Sequence, residues 1–280
     1  MYFSRGLADP LSTAVTLAST VGKAHDQETV RQNLYRFLQN QRPRDDAFVA
    51  KPVLVKSSER MGHLAKRFGL TGAGLEVPPV MSSAQQNLDA ALDLLPLAYR
   101  QLIDLCVFEI VLYSAPLPPG SGALLDQPGT LYVSVSEDWD ARDIAECLVH
   151  ETTHILLWLD EYRYGHHPDP WETGSIDKFG LTSITGSMKS ATVVFHSYIT
   201  AAEVAGLRRF GIERGVSWDD RAHGPTSLLL ERTTAAYDAL IGRPDLHEHF
   251  TPRALELVDA ARRSIHREFP SVEATGSLSA

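Results

Sequence analysis

Apolar residues recur every three or four positions through most of this chain, and alternate in only two short stretches. The first pattern marks helices and the second marks strands. PLSTAVTLASTVGKAH, residues 10–25, carries Leu11, Val15 and Leu17 on one side. ETVRQNLYRFLQN, 28–40, repeats apolar side chains at Val30, Leu34 and Leu38. SSERMGHLAKRFG, 57–69, ends on a glycine suited to close a helix, and LTGAGLEVPPV, 70–80, is turn punctuation. A long helical pattern over 82–105 opens with Ser82 or Ser83 as N-cap. The period then changes. FEIVLYSA, 108–115, and TLYVSVSE, 130–137, read as strands, with residues 116–129 as a loop between them.

Asp138 or Asp140 can cap a helix that begins near Ala141. A loop over 162–175 follows, then helices around 187–210, 224–241 and 251–267. This order predicts a mostly helical α+β protein with a small antiparallel sheet beside the helix that begins at 141. The expected organisation is a helical N-terminal lobe over 1–80, a main domain over 81–270 and a flexible tail over 271–280.

Composition narrows the function. The chain has 280 residues, 44% hydrophobic and 22% charged, enough to bury a core. A net charge of −9 argues against non-specific nucleic-acid binding, which needs a basic face. No apolar run approaches the roughly 20 residues that span a bilayer. The start, MYFSRGLADP, lacks the charged-then-apolar pattern of a secretion signal. Cys106 and Cys147 are the only cysteines, which fits a reducing cytoplasm. Cys147 reads as a small buried residue on the inner face of the helix.

The chemistry is concentrated in LVHETTHILLWLDEY, residues 149–163, where His150, Glu151 and His154 spell H-E-x-x-H. At roughly 100° per residue, the two histidines sit one turn apart and can reach one metal ion. Glu151 flanks that face, as a general base or as a partner that orients the ligands. The neighbours are apolar, so the motif lies on a buried helix, where unpartnered imidazoles would be costly. The competing reading is two surface histidines on an amphipathic helix.

A third ligand must come from elsewhere. Asp160 follows His154 by six residues, but Leu157 and Trp158 continue the helix and rotate it away, so Asp160 and Glu161 read as solvated. His196 and Glu203, in TVVFHSYITAAEV, share one face of a later helix. His196 is the favoured ligand and Glu203 the alternative; a core histidine and an ion pair with Arg208 are their plain readings. His166 and His167 read as a solvated pair, and His223, His247 and His249 lack ligand-like context.

LVHETTH, the PW dipeptide (Pro170, Trp171) and VVFHS together resemble the H-E-x-x-H peptide-modification proteins associated with ribosomally made peptides. The likeness covers roughly residues 108–205. It implies a scaffold on which some members are Fe(II)/2-oxoglutarate-dependent hydroxylases of peptide side chains. By motif, His150, His154 and His196 fall on family histidines. Lys189 falls on the arginine of an RPL segment, Ser190 on its proline and Glu172 on the arginine of PWR. The resemblance implies Fe(II) and 2-oxoglutarate as cofactors, with Lys189 or a nearby arginine and Ser187 or Ser190 holding the distal carboxylate. The substrate would be a peptide or related natural product. The motif alone supports a zinc hydrolase, with Zn²⁺ on the same histidines, Glu151 as base and strand 130–136 pairing with a peptide. A binding protein with a vestigial motif is the third possibility.

Overall fold

The computed structural model describes residues 1–41, 53–55, 82–113, 120–123, 127, 129–136, 138–168, 178–218 and 222–270. The helix expected over 57–69, the punctuation at 70–80, the boundary at 80, the PW dipeptide with Glu172 and the tail from 271 lie outside the described residues.

Helices dominate. They are α1 (Tyr2–Arg5), α2 (Ala8–Ser19), α3 (Gln27–Gln41), α4 (Ser82–Leu94), α5 (Leu97–Cys106), α6 (Ala141–Tyr164), α7 (Ala191–Glu213), α8 (Thr226–Ile241), α9 (Leu246–His249) and α10 (Pro252–Glu268). The long helix expected over 82–105 is two, because Pro96 forms the N-cap of the second. A proline there has no N–H to continue the first helix and keeps its predecessor out of the helical region. The N-terminal helices, expected as a lobe, contribute Leu17, Leu34 and Leu38 to the same hydrophobic core as α6 and α7.

The main sheet has the order β1 (Val53–Val55), β2 (Glu109–Tyr113), β4 (Thr130–Ser134), β3 (Gly120–Ala123). The sheet is mixed, not antiparallel as expected. β2 and β4 run parallel from Glu109↔Thr130 to Tyr113↔Ser134, and only β3 runs antiparallel to β4. The reason is β3. Its sequence, GSGA, has no alternation and no β-branched residue, so the sequence pattern predicts a loop there. The chain passes from β2 to this outer strand, then returns as β4 into the gap between them. β4 must therefore run with β2. It is flanked on both sides and cannot pair with a peptide; among the described strands β3 holds that edge. A two-stranded hairpin, β5 (Gly180–Leu181) and β6 (Met188–Lys189), precedes α7.

α6 begins where Asp140 accepts the Arg142 N–H at 2.7 Å and Asp143 accepts the Asp140 N–H at 3.0 Å. This reciprocal capping satisfies donors that a helix start leaves free. The helix ends at Gly165, whose φ of 70° is open to glycine. It packs on β3 and β4 on one side and on α7 on another. α7 is buried around most of its circumference, and it admits large neighbours through glycine. Phe3 lies against Gly206, and the Trp218 indole occupies the space of a Gly211 side chain. Gly211→Ala is therefore expected to destabilise the protein by about 1–3 kcal/mol or more, because the buried indole cannot yield without moving the backbone around it. Urea denaturation checks this; an unchanged midpoint would contradict it.

Candidate metal centre

α6 presents His150, Glu151 and His154 as a group whose ligand atoms all lie within 4.8 Å of one another. Among the described residues no other group of three or more histidine, cysteine or acidic side chains meets that criterion. Glu151 is fully buried. It accepts a hydrogen bond from the Ser121 hydroxyl at 2.5 Å and one from the backbone of Ala123, both on the edge strand β3. Its Oε1 lies 3.6 Å from His150 Nε2.

Burial sets the protonation states. Desolvation pushes the Glu151 carboxyl up to about 7, against the two hydrogen bonds that favour its charge. Desolvation drops His154 to about 4. It also holds His150 well below its ordinary range, helped by His223 and His154, and His196 likewise, helped by His154. All three imidazoles are therefore neutral at pH 7 and carry a lone pair, as metal ligands must.

The two groups of shifts have opposite consequences for pH. The depressed histidines lose stability as pH falls below about 6.5, where only the unfolded chain gains protons. Glu151 is raised, so its contribution is intact below its ordinary 4.5 and is lost as pH rises to about 7. Metal-free Glu151→Gln is thus expected to exceed the wild type in stability above pH 7, by at most about 3 kcal/mol, with no difference below pH about 4.5. Denaturation of both proteins at pH 5 and pH 8 checks the sign; equal stability at pH 8 would contradict it.

The structure sorts the remaining candidates. His196 on α7 comes to His154, with Nδ1 to Nδ1 at 3.1 Å, but stands outside the three-residue group. Glu203 is turned away from the centre and is not available as the alternative ligand. Its carboxylate accepts from the Phe3 and Ser4 amides at 3.1 Å and the Ser4 hydroxyl at 2.8 Å, and pairs with the Met1 amino group. Arg208, its expected ion-pair partner, instead grips Glu146. Asp160 is buried rather than solvated, bound by Arg253 and His166 at 2.8 Å each. His166 and His167 are buried too, the latter 2.8 Å from the His249 carbonyl.

Lys189 is exposed on β6, and its carbonyl accepts the Phe179 N–H at 2.8 Å. Ser187 pairs with Thr185 at 2.7 Å, and Ser190 is the N-cap of α7 without a side-chain cap. None of these three lines the cavity of about 500 Å³ that opens on His150. Its wall instead includes Ser121, Trp139, Ile184, Thr185, His223 and Arg232. The hairpin explains the difference: its turn reaches the cavity, while its second strand leads outward to α7.

Sequence reasoning missed four contributors. Glu146 was within reach, since Glu146, His150 and His154 form an i, i+4, i+8 stripe on α6. Ser121 lies in an unpatterned strand, and His223 and Arg232 arrive from far along the chain with no local signal. Comparison of the chain with family models and with curated proteins returns no match.

Proposed function

We propose that the protein is a metal-dependent tailoring enzyme, an Fe(II)/2-oxoglutarate-dependent hydroxylase of a peptide or related natural product. The site offers His150 and His154 as ligands, Glu151 beside them to orient them, and His196 at its margin as the third. Imidazole suits Fe(II), and a centre held by histidines keeps open positions for a co-substrate and oxygen. When bound, Fe(II) and 2-oxoglutarate supply oxygen activation for C–H hydroxylation. The chain itself supplies neutral imidazoles, a shielded pocket and a cation.

The cation carries the reading. Among the described residues, Arg232 is the formally charged side chain of the cavity wall, on the same cavity as His150. Its Nη1 donates to the Ile184 carbonyl at 3.0 Å, and a guanidinium has five donors, so a carboxylate can still be forked. In this reading Arg232 takes the role that the resemblance assigns to Lys189. A cavity of about 500 Å³ falls in the range of small-molecule sites. Arg232→Gln is expected to raise the 2-oxoglutarate concentration for half-saturation roughly 10–100-fold, the worth of a charged hydrogen bond. Titration of the Fe(II)-loaded proteins checks this; an unchanged affinity would remove the main support.

A second reading, a zinc hydrolase, is favoured by one observation. The Glu151 carboxyl titrates at about 7 beside the histidines, which suits a general base. Ser121 and Ala123 tie it to the edge strand β3, where a peptide could add as a further strand. Glu151→Gln separates the two: a hydrolase loses nearly all turnover, and an oxygenase keeps 2-oxoglutarate binding.

A further inference from the structure

We propose that His223 is the positioning residue of the centre, the acceptor that fixes His150 with its Nε2 lone pair free for the metal. The inference rests on the reading of His150 as a ligand.

Four side chains, Arg208, Glu146, His223 and His150, form a hydrogen-bonded chain that ends at the centre. Arg208 is wholly buried and donates from Nε and Nη2 to the two oxygens of Glu146, at 2.7 and 3.0 Å. A guanidinium stays charged, and a forked carboxylate facing it is ionised and can only accept. His223 Nδ1 lies 3.0 Å from Glu146 Oε2, so that nitrogen carries the proton and donates. Arg208 already neutralises Glu146. With that proton on Nδ1, the ring's Nε2 keeps its lone pair as the acceptor.

That lone pair lies 2.8 Å from His150 Nδ1. His150 must therefore donate from Nδ1, which leaves its Nε2 bare. Nε2 is the nitrogen that faces Glu151, 3.6 Å from its Oε1. Each hydrogen bond from Arg208 through Glu146 and His223 to His150 sets the direction of the next, and the series ends at the ligand atom. Outer partners of this kind hold metal-bound histidines in the right tautomer and ring orientation. Here the partner is itself a histidine, which places the charged pair one ring further back. His223 also lines the cavity, so it fixes the ligand from the ligand-entry side.

The test reads the tautomer directly, in metal-free protein labelled with ¹⁵N-histidine, by long-range ¹H–¹⁵N correlation. Wild-type His150 is expected to show a protonated Nδ1 and an unprotonated Nε2. In His223→Phe, which cannot accept, His150 is expected to shift towards the Nε2–H form, and Zn²⁺ affinity to fall about 10–100-fold. In His223→Gln the amide oxygen can accept, so the Nδ1–H form and most of the affinity are expected to return. An Nε2–H ring in the wild type, or an unchanged His150 in His223→Phe, overturns the proposal. Failure of the wild type to take up Zn²⁺ while His150 keeps Nδ1–H is a different result: it defeats the metal reading and leaves the proton order standing.

Discussion

Alanine at position 154 is expected to abolish stoichiometric metal binding, a loss well beyond the roughly 10–100-fold that outer partners cost. His154 is the member of the group that links its halves. It lies within 4.8 Å of His150 and Glu151 by ligand atoms, and on its other side it meets His196. Without it, one imidazole and one carboxyl remain in the group, and the carboxyl is largely protonated below pH 7. Competition with a chromophoric chelator measures the effect. In the wild type protons should compete with the metal for the His154 ring only near pH 4, because burial lowers it to about that value. A His154→Ala protein that still binds one metal tightly would mean that the centre lies elsewhere.

Arg208→Met is expected to cost about 3–5 kcal/mol of stability, because it leaves the buried Glu146 carboxylate without its counter-charge. For a protein of this size that is a fall in Tm of roughly 6–20 °C. The double variant Glu146→Leu with Arg208→Met should recover most of the loss, since removing both charges relieves the desolvation of each. It should not recover metal affinity, because His223 then has no acceptor behind it. Glu146 also carries a pH dependence of known sign. Burial opposes its charge, but the bonds from His223 and Arg208 outweigh this and hold it below its ordinary value of 4.5. The stability it contributes is present above pH about 4.5 and is lost as pH falls through the lowered value. Thermal melts of the three proteins check the first claim; equal losses in the single and double variants would contradict it.

Much of this was legible in the sequence, for physical reasons that differ by element. Asp140 as the cap of α6, the strands at Glu109–Tyr113 and Thr130–Ser134, and the pairing of His150 with His154 are local. They follow from periodicity and cap chemistry over a few residues. Pro96 was equally local and was overridden by a long apolar pattern. The rest depends on the sheet and on contacts across hundreds of residues. β3 has no pattern of its own and forms because β4 offers it an edge; its presence makes β2 and β4 parallel. His196 and Glu203 do share α7, but one ring meets His154 while the carboxylate caps the backbone of Phe3 and Ser4. Lys189 and Arg232 differ in their surroundings. The charge at the aligned position is exposed, and a guanidinium from α8 stands in the cavity.

The most direct test of the proposed centre needs no substrate. The metal-free protein is loaded with Fe(II) without oxygen, 2-oxoglutarate is added, and the visible difference spectrum is recorded. The expected result is a saturable charge-transfer band that is lost in His154→Ala and needs more 2-oxoglutarate in Arg232→Gln. The absence of a band, together with tight one-to-one Zn²⁺ binding and a hydrolytic activity lost in Glu151→Gln, would contradict it.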